Sequence, residues 1–337
     1  MTAVVPELTG LVKVPGGTTP LLGAGVSVHV PATSANLGPG YDTLGLALGY
    51  GDDLTTRIVA GTGLATVRIT GQGSDCLPTD GTHLAARTIR LAWDAWGVDH
   101  SQVDLELTAV NRIPHGRGQG SSSAVIVAAV ATAAATLPQE LVLRPGRDDV
   151  FELAARLEGH PDNVAPTVYG GLTIAWEQSD EHRRFRVALP TPHSGVVPIV
   201  AVPDVILSTE VARGLLPAEV PHADAAANAA AAALMVHALT HEPALLPSAA
   251  RDRLHEGYRA PAMPHTARLI EQARSEGFAA TVSGAGPTAL ILVEASQREE
   301  ALTLLGRLTE NSDVTWTVSA PGIDTSGVTV EVHRPVA

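Results

Sequence analysis

The chain has 337 residues, 45% of them hydrophobic, with 22 Lys and Arg against 35 Asp and Glu and a formal net charge of -13. The apolar share supports a packed core, the length suits two domains, and the acidic balance excludes a broad nucleic-acid or anionic-membrane surface while leaving room for a local anion site. Cys76 is the only cysteine and Lys13 the only lysine, which excludes an internal disulfide, a Cys-based zinc site and a CxxC redox motif, and weighs against a lysine nucleophile.

In chain order, residues 1–25 are rich in Pro, Gly and Thr and predict a flexible extension. Val26–Val30 alternates as a strand, followed by a loop over Pro31–Gly40. Strands are predicted near Leu54–Val59, Ala65–Thr70 and Val103–Leu107, with a helix over Thr82–Trp96 between the last two. A glycine-rich loop, Pro114–Gly120, opens a small-residue helix over Ser121–Thr136. Asp148–Leu157 reads as a helix, and a strand follows Gly170-Gly171. Further strands are predicted at Phe185–Leu189, Val196–Val202 and Val328–His333, with helices at His222–Thr240, Ala267–Glu276 and Gln297–Leu308. Strands and helices mix without βαβ alternation, so the fold class is α+β. The expected domains are residues 26–170 and 171–337. No run reaches about 18 apolar residues, so no membrane helix is expected. The N-terminus lacks a basic segment followed by an apolar core, which predicts a cytoplasmic protein.

The segment from Ile113 to Ala124 carries the most chemistry. Gly116, Gly118 and Gly120 allow close backbone approach to a ligand, and three serines then open a helix whose N-terminal N–H groups favour an anion. The lysine-containing P-loop pattern fails here, because no lysine is present. The G-x-G-x-x-G fingerprint fails too, because the sixth position falls on Ser121 or Ser123. Taken alone, the segment is equally well a glycine turn with serine caps on a buried helix.

Two further segments bear on that choice: Pro31–Asp42, P-A-T-S-A-N-L-G-P-G-Y-D, and Thr281–Thr288, T-V-S-G-A-G-P-T. With Pro114–Ser123 they resemble the three motifs of the GHMP kinases. The middle motif of that family reads P-x-x-x-G-L-G-S-S-A, and here Gln119 replaces the leucine and Ser123 the alanine. Within the family, Thr33–Asp42, Glu158–Pro166 (E-G-H-P-D-N-V-A-P) and Ser208–Arg213 (S-T-E-V-A-R) are most similar to the homoserine kinases. The resemblance runs from about Val26 to the C-terminus and has no counterpart for residues 1–25.

The resemblance implies a two-domain GHMP kinase fold, with an N-terminal domain like domain 2 of ribosomal protein S5 and a ferredoxin-like C-terminal domain. It implies ATP-dependent phosphorylation of the L-homoserine hydroxyl, a step of threonine biosynthesis, by a homodimer that engages neither nucleic acid nor membrane. ATP phosphates would lie on Pro114, His115, Gly116, Arg117, Gly118, Gln119, Gly120, Ser121, Ser122 and Ser123, above a turn at Gly284 and Gly286. Mg2+ would take Ser122 and Glu152. The substrate ammonium would meet Asn36 and Asp42, and its carboxylate Arg213 and Arg259, whose forks suit a carboxylate. His160 and Asn163 would hold the hydroxyl end as the catalytic pair, with Thr209 supporting the pocket. His83 and Thr79–Thr82 would border the adenine.

Several GHMP kinases place an aspartate base eleven residues after the metal glutamate, and that position here is Asn163. An amide is no general base near neutral pH, so the reaction is expected to run without a carboxylate base, Asp162 included. Two alternatives stay open: a kinase for another amino alcohol or a polyol, and a non-catalytic ligand-binding regulator on the same scaffold.

Overall fold

The computed structural model describes residues 10–178, 184–310 and 312–333. Its first sheet has seven strands. β1 (Gly25–Ala35), β2 (Leu44–Ala60), β3 (Ala65–Gly71) and β4 (Val103–Asn111) form its body, with α1 (Leu84–Trp96) crossing between the parallel pair β3 and β4. β2 pairs with β1 on one edge and is long enough to serve two partners on the other. Its end Asp53–Ala60 pairs with β4, while Leu44–Leu46 pairs with β5 (Leu172–Gln178), which in turn pairs with β6 (Arg184–Ala188). A register shift at Pro31/Ala32 bends β1 so that it follows β2 through this change.

Behind the sheet lies α2 (Ser121–Ala135), packed against β1 and between α1 and α3 (Arg147–Glu158). Alanine and valine dominate α2, and it is buried on nearly every side. Small side chains let the neighbouring helices approach closely. Trp93 and Trp96 of α1 fill the remaining space at 0% exposure, and Trp93 Nε1 donates to Ala133 O. Truncating either to alanine would cost about 3–5 kcal/mol. The short α4 (Val164–Tyr169) follows α3 and precedes β5.

The second sheet runs β10-β7-β9-β8, all antiparallel, from β7 (Val196–Pro203), β8 (Ala279–Val282), β9 (Ala289–Glu294) and β10 (Trp316–Ser319). Period-2 alternation splits β7. Ile199 and Ala201 face a core shared with α9 (Pro264–Ser275) and α10 (Arg298–Glu310), whereas Val200 and Val202 face the main core. Between β7 and α9 come α5 (Thr209–Gly214), α6 (His222–Thr240), α7 (Leu246–Ala249) and α8 (Glu256–Arg259). The two-domain α+β expectation holds.

The structure corrects the boundaries. β5 and β6 belong to the first sheet, so the chain passes to the second sheet only after Ala188, not at Gly170. β11 (Thr329–His333) then returns to pair with β1. Residues 10–24 are not a loose extension either. Val14 is buried, its N–H donates to Trp96 O, Leu21 N–H donates to Thr136 O, and Leu11 and Val12 pack on the core. Residues 1–9 lie outside the described part. β1 continues to Ala35, into the first half of the predicted loop, and β2 begins at Leu44, ten residues before the strand expected at Leu54. No described helix is long and apolar enough to cross a membrane.

Candidate active site

A cleft of about 350 Å³ opens where the two sheets meet, and residues from all three sequence motifs line it. Its floor is the loop Pro114–Gly120. Gly116, Gly118 and Gly120 all have positive φ, as the sequence required. A Cβ on Gly118 would lie 2.2 Å from Ser283 O, and one on Gly120 would lie 1.9 Å from Thr33 Oγ1. The β8–β9 turn supports the loop from below: Ser283 Oγ donates to Gly118 O and Thr288 Oγ1 to Arg117 O. Gly120 caps α2 without any side-chain cap, leaving the first-turn N–H groups of α2 to an anion.

The serines divide their tasks. Ser121 Oγ lies 2.7 Å from His115 Nδ1, whose ring reaches Gln72 O through Nε2. Ser122 Oγ donates to Glu158 Oε2 at 3.0 Å and Ser123 Oγ to Glu158 Oε1 at 2.8 Å. Glu152 is not part of this group. Its Oε1 accepts from Arg156 Nε at 2.6 Å and its Oε2 from Phe185 N at 2.9 Å, which pins α3 to β6. The six residues from Glu152 to Glu158 turn a helix by about 600°, so the two carboxylates occupy different faces. The carboxylate beside Ser122 is therefore Glu158, a correction to the expected Glu152. A hydroxyl and a carboxylate side by side suit Mg2+, which takes oxygen ligands and retains waters or substrate oxygens in the rest of its shell. No cluster of three or more His, Cys, Asp or Glu able to hold a metal occurs among the described residues.

The other wall gathers the residues expected to bind an amino acid. Asn36 and Asp42 sit on the β1–β2 loop, where Asn36, Leu37 and Asp42 all adopt positive φ. Asn36 stabilises that conformation, since its Oδ1 accepts from Asp42 N and its Nδ2 donates to Gly284 O. Arg213 donates from Nη2 to Asp42 Oδ1 and from Nη1 to Asp42 Oδ2. Burial works against the Arg213 charge, but the hydrogen bond and charge of Asp42 outweigh it and its pKa is raised. Arg259 is 2% exposed. It donates to Ala212 O and Gly284 O, and its guanidinium lies 5.5 Å from the Tyr41 ring centre. No carboxylate pairs with it among the described residues, and burial lowers its pKa. An unpaired buried guanidinium is a strong site for a substrate carboxylate. Thr209 lines the same cleft.

His160 Nδ1 meets Asp162 Oδ1 at 2.6 Å, and Asp162 Oδ1 also accepts from Asn163 N. Burial pushes the His160 pKa down, yet the Asp162 hydrogen bond with the Asp162 and Glu158 charges leaves it raised. Asp162 is 2% exposed and lines the cleft, and its Oδ1 takes both of these loop contacts. Asn163 Oδ1 accepts from Thr33 Oγ1 at 2.7 Å. Buried Thr33, whose N–H donates to Gln119 O, thus links the glycine-rich loop to Asn163, a role its place in the first motif could have suggested.

Gln119 is 1% exposed, and neither of its amide atoms finds a hydrogen-bond partner. His83 does not face the cleft; its ring caps α1 by accepting from Ala85 N.

The chain matches the family descriptions "GHMP kinases N terminal domain" over residues 83–171 and "GHMP kinases C terminal" over residues 225–307. It is 48% identical over 310 residues to a homoserine kinase of Streptomyces coelicolor, covering 91% of this chain and 94% of that one. It is 46% identical over 312 residues to a homoserine kinase of Clavibacter michiganensis, covering 92% and 95%. Among solved structures, homoserine kinase from Cytophaga hutchinsonii superposes with a TM-score of 0.78 at 23% identity, covering 91% and 97%. The L. major mevalonate kinase in complex with R-mevalonate gives 0.56 at 15% identity, covering 92% and 99%. At these identities, the two structures speak for the fold alone.

Proposed function

This chain belongs to the GHMP kinase family, and from that premise we propose that its cleft phosphorylates the side-chain hydroxyl of L-homoserine with ATP, giving O-phospho-L-homoserine and ADP. The observation that carries the substrate class is the wall opposite the phosphate loop, which offers a carboxylate at Asp42 and guanidinium groups at Arg213 and Arg259. A polyol has no charges for such groups to meet. An amino acid has two, of the matching signs.

In this reading the Gly116–Gly120 backbone and the α2 N-terminus hold the ATP phosphates. Ser122 and Glu158 would hold Mg2+, which supplies charge neutralisation on the phosphates. Arg259, assisted by Arg213, takes the substrate carboxylate, and Asp42 with Asn36 takes the ammonium. Asn163 and His160 orient the hydroxyl. The hydroxyl oxygen bonds to the γ-phosphorus as the bond to the β-phosphate oxygen breaks, and the hydroxyl proton leaves late, to the transferred phosphate or to water. A loose transition state needs little deprotonation of the nucleophile, so positioning carries much of the rate. The engagement of Asp162 with His160 and Asn163 supports leaving it out of proton transfer. A homodimer, on the family resemblance, completes the proposal.

An ADP-release assay with homoserine, other amino alcohols and polyols, with phosphorus NMR of the product, tests this reading. Homoserine turning over with at least about a hundredfold advantage in kcat/KM supports it, a threshold well below the roughly 10⁴–10⁵-fold by which a site built to hydrogen-bond a polar group rejects analogues lacking it. Preference for a polyol contradicts it.

A further inference from the structure

His255 is fully buried and lies at the joint between the two halves of the amino-acid site. Its Nε2 is 2.9 Å from Gly38 O, and its Nδ1 is 3.2 Å from Arg259 Nη1. A carbonyl oxygen can only accept and a guanidinium can only donate. Both contacts are made at once by the neutral ring with its hydrogen on Nε2 and a lone pair on Nδ1. Asp252, whose Oδ1 is 3.5 Å from Nε2, sits on the side that carries the hydrogen. Asp252 accepts hydrogen bonds from the N–H groups of Leu254, His255 and Glu256.

Each contact controls something the substrate would use. Gly38 belongs to the β1–β2 loop, whose positive φ at Asn36, Leu37 and Asp42 needs external support to persist. On the other side, Arg259 spends Nε on Ala212 O and Nη1 on His255 and Gly284 O. Nη2 has no hydrogen-bond partner among the described residues.

We propose that neutral His255 is a positioning residue for the amino-acid substrate. It fixes the loop that carries Asn36 and Asp42 relative to Arg259, and it holds the guanidinium so that Nη2 is left for the substrate carboxylate. This rests on the assignment of Arg259 to that carboxylate. The contacts involve no atom of the phosphate loop, so the effect belongs on KM for homoserine and not on KM for ATP.

The test compares His255→Ala, His255→Asn, His255→Gln, Arg259→Leu and the double variant His255→Ala/Arg259→Leu by steady-state kinetics, with circular dichroism as the check on folding. His255→Ala is expected to raise KM for homoserine about tenfold or more, the scale of one hydrogen bond to a charged group, with KM for ATP within about twofold. An asparagine amide reaches the Nδ1 position and a glutamine amide the Nε2 position, so each should restore one contact and part of the KM. In the double variant, the increase should fall well below the product of the single increases. Should His255→Ala not fold, the asparagine and glutamine variants carry the test, each with KM for homoserine between wild type and Arg259→Leu. A KM for homoserine unchanged in every His255 variant overturns the proposal, as do equal rises in both KM values or single effects that simply multiply. If Arg259→Leu itself raises both KM values equally, the underlying substrate assignment is what fails.

Discussion

Arg213 closes a two-pronged contact on Asp42, with Nη2 to Oδ1 at 2.9 Å and Nη1 to Oδ2 at 3.2 Å. These two groups are assigned to opposite ends of the substrate, yet without substrate they satisfy each other. Their side chains are 38% and 34% exposed, and a pair so open to water contributes only about 0–1 kcal/mol. A zwitterionic substrate can therefore separate it at small cost, the ammonium taking Asp42 and the carboxylate joining Arg213 and Arg259.

Asp42→Asn should raise KM for homoserine by about tenfold or more, the scale of a charge-assisted hydrogen bond lost, while KM for ATP stays within about twofold. Steady-state kinetics with each substrate varied in turn will check this. A uniform rise in both KM values would place Asp42 in the scaffold.

Glu158 and Glu152 should separate cleanly on substitution. Glu158→Gln removes the carboxylate beside Ser122 and should cut kcat by about 10²–10³, typical of losing one electrostatic stabiliser, with a higher magnesium requirement. Glu152→Gln weakens the i,i+4 pair with Arg156 inside α3 and the bond from the Phe185 N–H that ties α3 to β6, and should cost about 1–3 kcal/mol in urea unfolding with kcat nearly kept. The reverse pattern would restore Glu152 as the metal carboxylate.

Gln119→Leu should stabilise the protein. The amide is buried and both of its polar atoms lack a partner, a situation that costs about 1–3 kcal/mol and that leucine avoids at similar volume. Urea unfolding reads the gain, and loss of stability would mean that the amide is engaged.

The His160–Asp162 pair should make stability depend on pH with a definite sign. Because the folded-state pKa of His160 is raised, its contribution is complete below the unfolded imidazole value of about 6.5 and fades as pH climbs through the raised folded value. The stability gap between wild type and Asp162→Asn should thus be largest near pH 5–6 and shrink on the alkaline side, with kcat reduced about tenfold at most. A loss of about a thousandfold, with substrate binding kept, would make Asp162 the base.

Much of this was legible in the sequence, because the decisive elements are punctuated by local chemistry. Glycines at 116, 118 and 120 announce a loop that only positive φ can trace, and the alanine and valine run of α2 announces a buried helix. What failed to show was long-range. Nothing local says that β5, β6 and β11 join the first sheet, since antiparallel pairing to β2 and β1 is set by tertiary register. Residues 10–24 read as loose because Val14 is anchored by the backbone of Trp96, a contact no periodicity reveals. The choice between Glu152 and Glu158 turns on the phase of α3 relative to α2, and motif spacing does not report it. His255 carries no motif signal that we identified; its meaning comes from Gly38 and Arg259 meeting around it.

The most direct test of the central claim is a crystal structure of the protein with homoserine, magnesium and a non-hydrolysable ATP analogue. Phosphates are expected on the Gly116–Gly120 loop and the metal beside Ser122 and Glu158. The homoserine carboxylate is expected on Arg259 Nη2, the ammonium on Asp42 in place of Arg213, and the hydroxyl between Asn163 and the γ-phosphate. Homoserine bound outside this cleft, or bound with the Arg213–Asp42 contact intact and no contact to Arg259, would contradict it.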